Sequence, residues 1–158
     1  MKPGARHPDK NSTEWLFWKL IHAHRCASDA VFTMYGIREC GQPMILFMLE
    51  SYGENGVIAT QKDLAELLGI SQTTTAISLK SLERLGCVQR KPDERDMRRN
   101  SISITERGLE VADLFRRAFR DIDEAMYADF TDEEKVTIAE FYSRLTKNLM
   151  EKAKDAGS

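Results

Sequence analysis

The stretch that most limits how this chain can fold is Gln61 to Thr105, QKDLAELLGISQTTTAISLKSLERLGCVQRKPDERDMRRNSISIT. Thr60 stands as N-cap before a short helix predicted over Gln61 to Leu68, and Asp63 adds a carboxylate to its first turn, where the backbone N–H groups favour negative charge. Gly69 ends that helix, and Ser71 caps a second one predicted over Gln72 to Leu85. Two helices joined by a tight Gly-containing turn form a helix-turn-helix. Leu64, Leu67, Leu68 and Ile70 supply the apolar side of the first helix, and Thr75, Leu79 and Leu82 share one face of the second. Gly86 stops the second helix. Cys87 to Lys91 and Ser101 to Ile104 then read as two strands, the latter alternating with a period of two, with KPDERDMRRN as the hairpin tip between them.

Long amphipathic helices flank this block. Residues 1–10 are polar, contain two prolines and are expected to be a flexible tail. Asn11 and Glu14 have capping-box spacing ahead of a helix over Thr13 to Tyr35. Leu16, Leu20, Ala23, Ala27, Ala30 and Met34 make one apolar stripe on it, and Trp15 and Trp18 make a second apolar surface. One face suits the chain's own core and the other a partner subunit. Gly36 and Gly41 interrupt, Pro43 opens an apolar helix containing MILFMLESY, and Val57 to Ala59 reads as a short strand. Thr105 caps a helix over Glu106 to Tyr127 with Val111, Phe115, Ala118, Ile122 and Met126 as its stripe. Thr131 and Glu134 form a second capping box before a last helix to Lys152, with Ile138, Phe141, Leu145 and Leu149 apolar.

Composition narrows the function classes. No run of 18 apolar residues exists, and the N-terminus lacks a signal-peptide core, so a cytoplasmic protein with no membrane partner is expected. Cys26, Cys40 and Cys87 form no CxxC and fit a reducing compartment. The net charge is −2, yet Lys80 to Arg107 carries eight Lys or Arg against five Asp or Glu, and Leu109 to Ser158 carries eight against twelve. A local basic patch in a mildly acidic chain suits a focused anion-binding face. No Ser-His-Asp set, HExxH, P-loop or GxGxxG occurs, so no enzyme and no cofactor are expected. His22 and His24 lie about 200° apart around a helix, too far for one ion, so no metal is expected either.

The helix-turn-helix and the basic hairpin that follows it point to recognition of double-stranded DNA. On the second short helix Thr73, Ala76, Ile77, Lys80 and Arg84 lie opposite the core face. A recognition helix reads base edges with its N-terminal residues and touches phosphate with its cations. Ser71, Gln72, Thr73 and Thr74 are therefore candidates for base or phosphate contact, Ile77 for contact with a thymine methyl, and Lys80 and Arg84 for phosphate. At the hairpin, Arg95, Arg98 and Arg99, with Arg90 and Lys91, make a guanidinium-rich tip suited to phosphates and a narrow minor groove. Asp96 is placed to orient Arg98 through a bidentate pair.

QKDLAELLGIS, LERLGCVQR, the D-x-R of Asp96 to Arg98 and the ITERG of Ile104 to Gly108 together resemble the MarR (multiple antibiotic resistance regulator) family of winged helix-turn-helix regulators. The likeness extends loosely over the flanking helices. It implies a mainly α fold with a small β-hairpin: residues 41–105 as the winged helix-turn-helix, and residues 11–40 and 106–154 as the dimerisation helices. It further implies a homodimer on a palindromic operator, a repressor relieved by a small aromatic ligand. A pocket for that ligand is expected where the long helices meet the winged domain, with Trp15, Trp18, His22, Met44, Phe47 and Met48 as candidate lining. Cys26 falls where the hydroperoxide-sensing branch keeps its reactive thiol, which leaves a redox-sensing regulator as one alternative. The reading of the residues favours a buried structural role for Cys26. A winged-helix module that binds protein instead of DNA is another alternative. Many members carry Arg or Lys where this chain has Ile77, so the base contacts do not carry over.

Overall fold

A computed structural model describes residues 9–40, 42–54, 60–92 and 100–156. In chain order they form α1 (Thr13–Met34), a 3₁₀ turn (Arg38–Cys40), α2 (Pro43–Glu54), α3 (Gln61–Leu68), α4 (Gln72–Arg84), β1 (Val88–Pro92), β2 (Asn100–Ile104), α5 (Glu106–Met126) and α6 (Asp132–Ala156). The chain divides into two compact units, Met1–Ile122 and Asp123–Ser158. The expected strand at Val57 to Ala59 lies outside the described residues. None of the described helices is long and apolar enough to cross a membrane.

The first unit has one core. Ile45, Leu46 and Leu49 of α2 meet Leu64 of α3, Leu79 and Leu82 of α4, and Val111, Ala112 and Phe115 of α5. Val88 and Ile102 close it from the hairpin, whose strands pair antiparallel with Val88 opposite Ile104 and Arg90 opposite Ile102. An aromatic cluster pins α1 and α2 to α5: Phe32 meets Phe115 and Phe119 edge-on at 5.3 and 5.7 Å, and Phe47 lies 6.3 Å from Phe119. Tyr35 donates a hydrogen bond of 2.8 Å to Asp121, a contact that raises the Tyr35 pKa because the carboxylate favours the protonated phenol.

Several expectations need correction. The cap of α1 is Ser12, whose hydroxyl accepts from Trp15 N at 3.2 Å, and not Asn11. Asp9 decides this: its side chain takes Asn11 N–H and its carbonyl takes Ser12 N–H, and the resulting turn leaves Ser12 extended at the cap. The α1 stripe is not buried. Leu16, Leu20 and Met34 are exposed, and α1 meets the core through Val31 and Phe32 instead. In α3, Leu64 is buried as expected, whereas Leu67 faces solvent and Ala65 is buried in its place. On α6, Phe141, Leu145 and Leu149 are all exposed in the single chain, and the helix runs four residues past Lys152. The α5 stripe is buried as expected at Val111, Phe115, Ala118 and Ile122, and Met126 is half-buried.

In the second unit, Thr131 caps α6 reciprocally with Glu134: Glu134 N donates to the Thr131 hydroxyl at 3.2 Å and Thr131 N to the Glu134 carboxylate at 2.8 Å. Tyr127 stacks edge-on with Phe130 at 5.9 Å in the connection before it.

Candidate nucleic-acid interface

The second helix of the helix-turn-helix, α4, is placed by local hydrogen bonds that its sequence encodes. Asp63 N donates to the Thr60 hydroxyl at 3.2 Å and Thr60 N donates to the Asp63 carboxylate at 3.0 Å, a reciprocal box that starts α3. Gly69 takes φ 63°, a left-handed conformation that glycine adopts without a Cβ penalty, and Ile70 N reaches back to Ala65 O at 3.1 Å. Ser71 then caps α4 by accepting from Thr74 N at 3.0 Å, and the Gln61 side chain donates to Gln72 O at 3.3 Å, tying the two helix starts together. Thr75, fully buried in the core face of α4, satisfies its hydroxyl on Ser71 O at 3.1 Å. Thr60→Ala removes the α3 cap and is expected to lower stability by about 1 kcal/mol. Thermal melting with and without the substitution measures this, and an unchanged midpoint would contradict it.

The far end of α4 is tied to α5. Gly86 at φ 72° turns the chain out of the helix, and Cys87 N donates to Leu82 O at 2.8 Å. Arg107 Nε donates to Leu85 O at 2.8 Å and the Thr105 hydroxyl to Gly86 O at 2.6 Å, while Thr105 N donates to Cys87 O at 3.0 Å. The root of the hairpin and the N-terminus of α5 thus hold the last turn of the reading helix from one side. Gly108, which sequence reasoning singled out only as part of a motif, makes this approach possible. A Cβ there would lie 2.1 Å from Cys87 O and 2.6 Å from Ile104 Cγ1.

At 100° per residue, Thr73, Ile77, Lys80 and Arg84 fall within about 60° of one another, opposite Thr75, Leu79 and Leu82. The structure bears out that division: the second set is buried and the first exposed, Ile77 at 67%. Among the described residues Lys80 and Arg84 have no ion-pair partner, so both ammonium and guanidinium are available to an anion. Ser71 and Thr74 are engaged with each other, their hydroxyls 2.8 Å apart, so they organise the helix start more than they project from it. Arg90, expected with the guanidinium-rich tip, lies in β1. It is half-buried beside Glu83, with Nε 3.4 Å from the carboxylate and short of hydrogen-bond geometry. Arg95, Asp96, Arg98 and Arg99 lie outside the described residues.

The candidate ligand residues separate. Phe47 and Met48 pack against the core from α2, and the Arg116 guanidinium lies over the Phe47 ring at 5.3 Å. Met44 is exposed on the same helix, and Trp15, Trp18 and His22 stand on the exposed N-terminal part of α1. A cavity of about 220 Å³ that sequence reasoning missed opens instead between Ile37, Cys40, Leu85, Cys87, Arg107 and Leu114. Burial pushes both of its thiols, Cys40 and Cys87, above the ordinary thiol range, which disfavours the reactive thiolate. Cys26, read as a buried structural residue, is exposed, with Sγ 3.6 Å from His22 Nε2 one helical turn away.

The geometry agrees with the comparisons. The sequence model of the MarR family matches residues 41–99. An uncharacterized HTH-type transcriptional regulator of Bacillus subtilis (strain 168), YybA, is 36% identical over 104 residues, which span 66% of this chain and 68% of that one. Among solved structures, the MepR–DNA complex of S. aureus superposes with a TM-score of 0.70 at 22% identity, over 89% of this chain and 99% of that one. MarR does so with 0.67 at 20% identity, over 95% and 99%. The heme sensor PefR of Streptococcus agalactiae in complex with heme gives 0.68 at 22% identity, over 87% and 94%. With a capped helix-turn-helix, an antiparallel wing and a relative this similar, the chain belongs to the MarR family of winged helix-turn-helix, DNA-binding transcription regulators.

Proposed function

We propose that the chain acts as a homodimer that represses transcription from a palindromic operator, with α4 in the major groove, and that a small aromatic ligand relieves the repression. The outward face of α4 carries this reading: two cations, Lys80 and Arg84, with no ion-pair partner among the described residues, follow Thr73 and Ile77 on one exposed strip. That is the order in which a recognition helix meets bases and then backbone. Support for the dimer comes from the apolar faces of α1 and α6, where Trp18 is 59% and Leu149 66% exposed. The MepR structure of the same fold was solved on DNA, and the PefR structure holds heme, which supports a planar aromatic effector for this fold.

Gel shifts on the promoter region beside the gene, repeated across salt, test the reading. Lys80→Ala and Arg84→Ala are each expected to weaken binding to all duplexes alike and to flatten the log K against log salt slope by about 0.9. Arg98→Ala is expected to behave the same way. Thr73→Ala is expected to alter base preference as well. If the cationic variants and Thr73→Ala change sequence preference alike, the assignment of phosphate and base roles is wrong. Absence of a shift on any palindromic duplex, with function surviving charge reversal at Arg95, Arg98 and Arg99, would favour a module that binds protein.

A further inference from the structure

Ile77 stands at the centre of the reading strip with 67% of its surface exposed. Its neighbours on the core side of the helix, Thr75 and Leu79, are fully buried, so this residue makes no contribution to the core that would account for an isoleucine. A β-branched side chain is also a poorer helix former than most residues that could occupy an outward position. The rest of the strip is equally informative. The first two turns of α4 offer Gln72, Thr73 and Ile77 outward, and the first cation, Lys80, comes a turn later. Guanine O6 and N7 are read by Arg or Lys, and the base-reading end of this helix has neither. The groups it does have suit other edges. A glutamine side chain pairs with adenine N6 and N7, and an exposed apolar side chain meets the thymine C5 methyl. Gln72 keeps its own side chain for this, because the hydrogen bond it makes to Gln61 uses its backbone carbonyl.

We infer that Ile77 is a specificity-determining residue that reads a thymine through its C5 methyl in each operator half-site. This rests on the proposal that α4 reads the major groove, and it goes further by naming the atom recognised. The interaction is apolar, so its signature is the methyl group itself. Replacing thymine by deoxyuridine deletes that methyl and leaves every hydrogen-bonding group of the base pair in place.

The test begins with a duplex selected from a random pool by the full-length protein. Each thymine is then replaced singly by deoxyuridine, and affinity is measured by fluorescence anisotropy. One or two positions per half-site are expected to lose about four-fold in affinity, the effect of one buried methyl group. With Ile77→Ala, which truncates a side chain that stands outside the core, the thymine and deoxyuridine duplexes are expected to bind equally well at those positions. Uniform binding of all deoxyuridine duplexes by the parent protein would overturn the inference and leave DNA binding intact. So would a loss of the same size in the Ile77→Ala protein. Failure to enrich any duplex would overturn the inference and the DNA-reading proposal together.

Discussion

Gly108→Ala is expected to destabilise the protein by about 3 kcal/mol, at the upper end of what overpacking costs. The sign is the informative part. Gly→Ala inside a helix ordinarily stabilises by up to about 1 kcal/mol, because alanine is the better helix former. Gly108 sits in the first turn of α5, where the new Cβ would lie 2.1 Å from Cys87 O and 3.0 Å from Cys87 C. Both atoms are backbone, so no side-chain rotation relieves the contact. Either α5 or the start of β1 must move by roughly 1 Å to restore an ordinary van der Waals distance. That movement strains the bond from Thr105 N to Cys87 O and the anchor from Arg107 to Leu85 O, which together hold the exit of the reading helix. A fall in melting temperature on the order of 10 °C is expected, read by circular dichroism, with weakened DNA binding even well below the transition. Gly53→Ala is the matched control. Gly53 lies in α2 with nothing within 4 Å of a built Cβ, so the same substitution there is expected to raise stability slightly. A Gly108→Ala protein that melts at or above the parent temperature would refute the close approach.

What could be read in the sequence, and what could not, follows the range of the interactions. The α3 and α4 boundaries were legible because Thr60, Asp63, Gly69 and Ser71 act on backbone groups within a few residues of themselves. The buried face of α4 was legible because Thr75, Leu79 and Leu82 repeat at helical spacing. Gly108 was not, because its constraint comes from a carbonyl 21 positions away that only the folded chain brings near. Cys40 belongs to the same class: nothing local distinguishes it, and it is buried only as part of the folded core. Periodicity shows which side of a helix is apolar and does not say what covers that side. For this reason α5 was assigned correctly, whereas α1 and α6 keep their apolar stripes exposed in the single chain. Cys26, read as buried, is exposed because it lies on such a helix.

Those two exposed stripes lead to the second large effect. If they are the faces by which two copies join, Leu145→Asp combined with Leu149→Asp places two carboxylates in an apolar interface, where an unpaired charge is strongly unfavourable. The dimer is expected to dissociate, as sedimentation equilibrium would report. Leu145 and Leu149 are 53% and 66% exposed, so the fold of each chain loses little and its helical circular dichroism should persist. The consequence for DNA is larger than that for stability. A dimer engages its second half-site intramolecularly, which raises affinity by roughly 10²–10⁴ over a single engagement without any new contact. The double variant should therefore lose about 3–5 kcal/mol of operator affinity although Thr73, Ile77, Lys80 and Arg84 are untouched. Its binding to an isolated half-site should match that of the parent protein. Two outcomes would separate the parts of the reading. A double variant that remains dimeric would remove α6 from the interface. A monomer that still binds the full operator as tightly as the parent would mean that one copy suffices. The spacing between two reading helices, about 34–36 Å for half-sites one turn apart, would then not be what a ligand acts on.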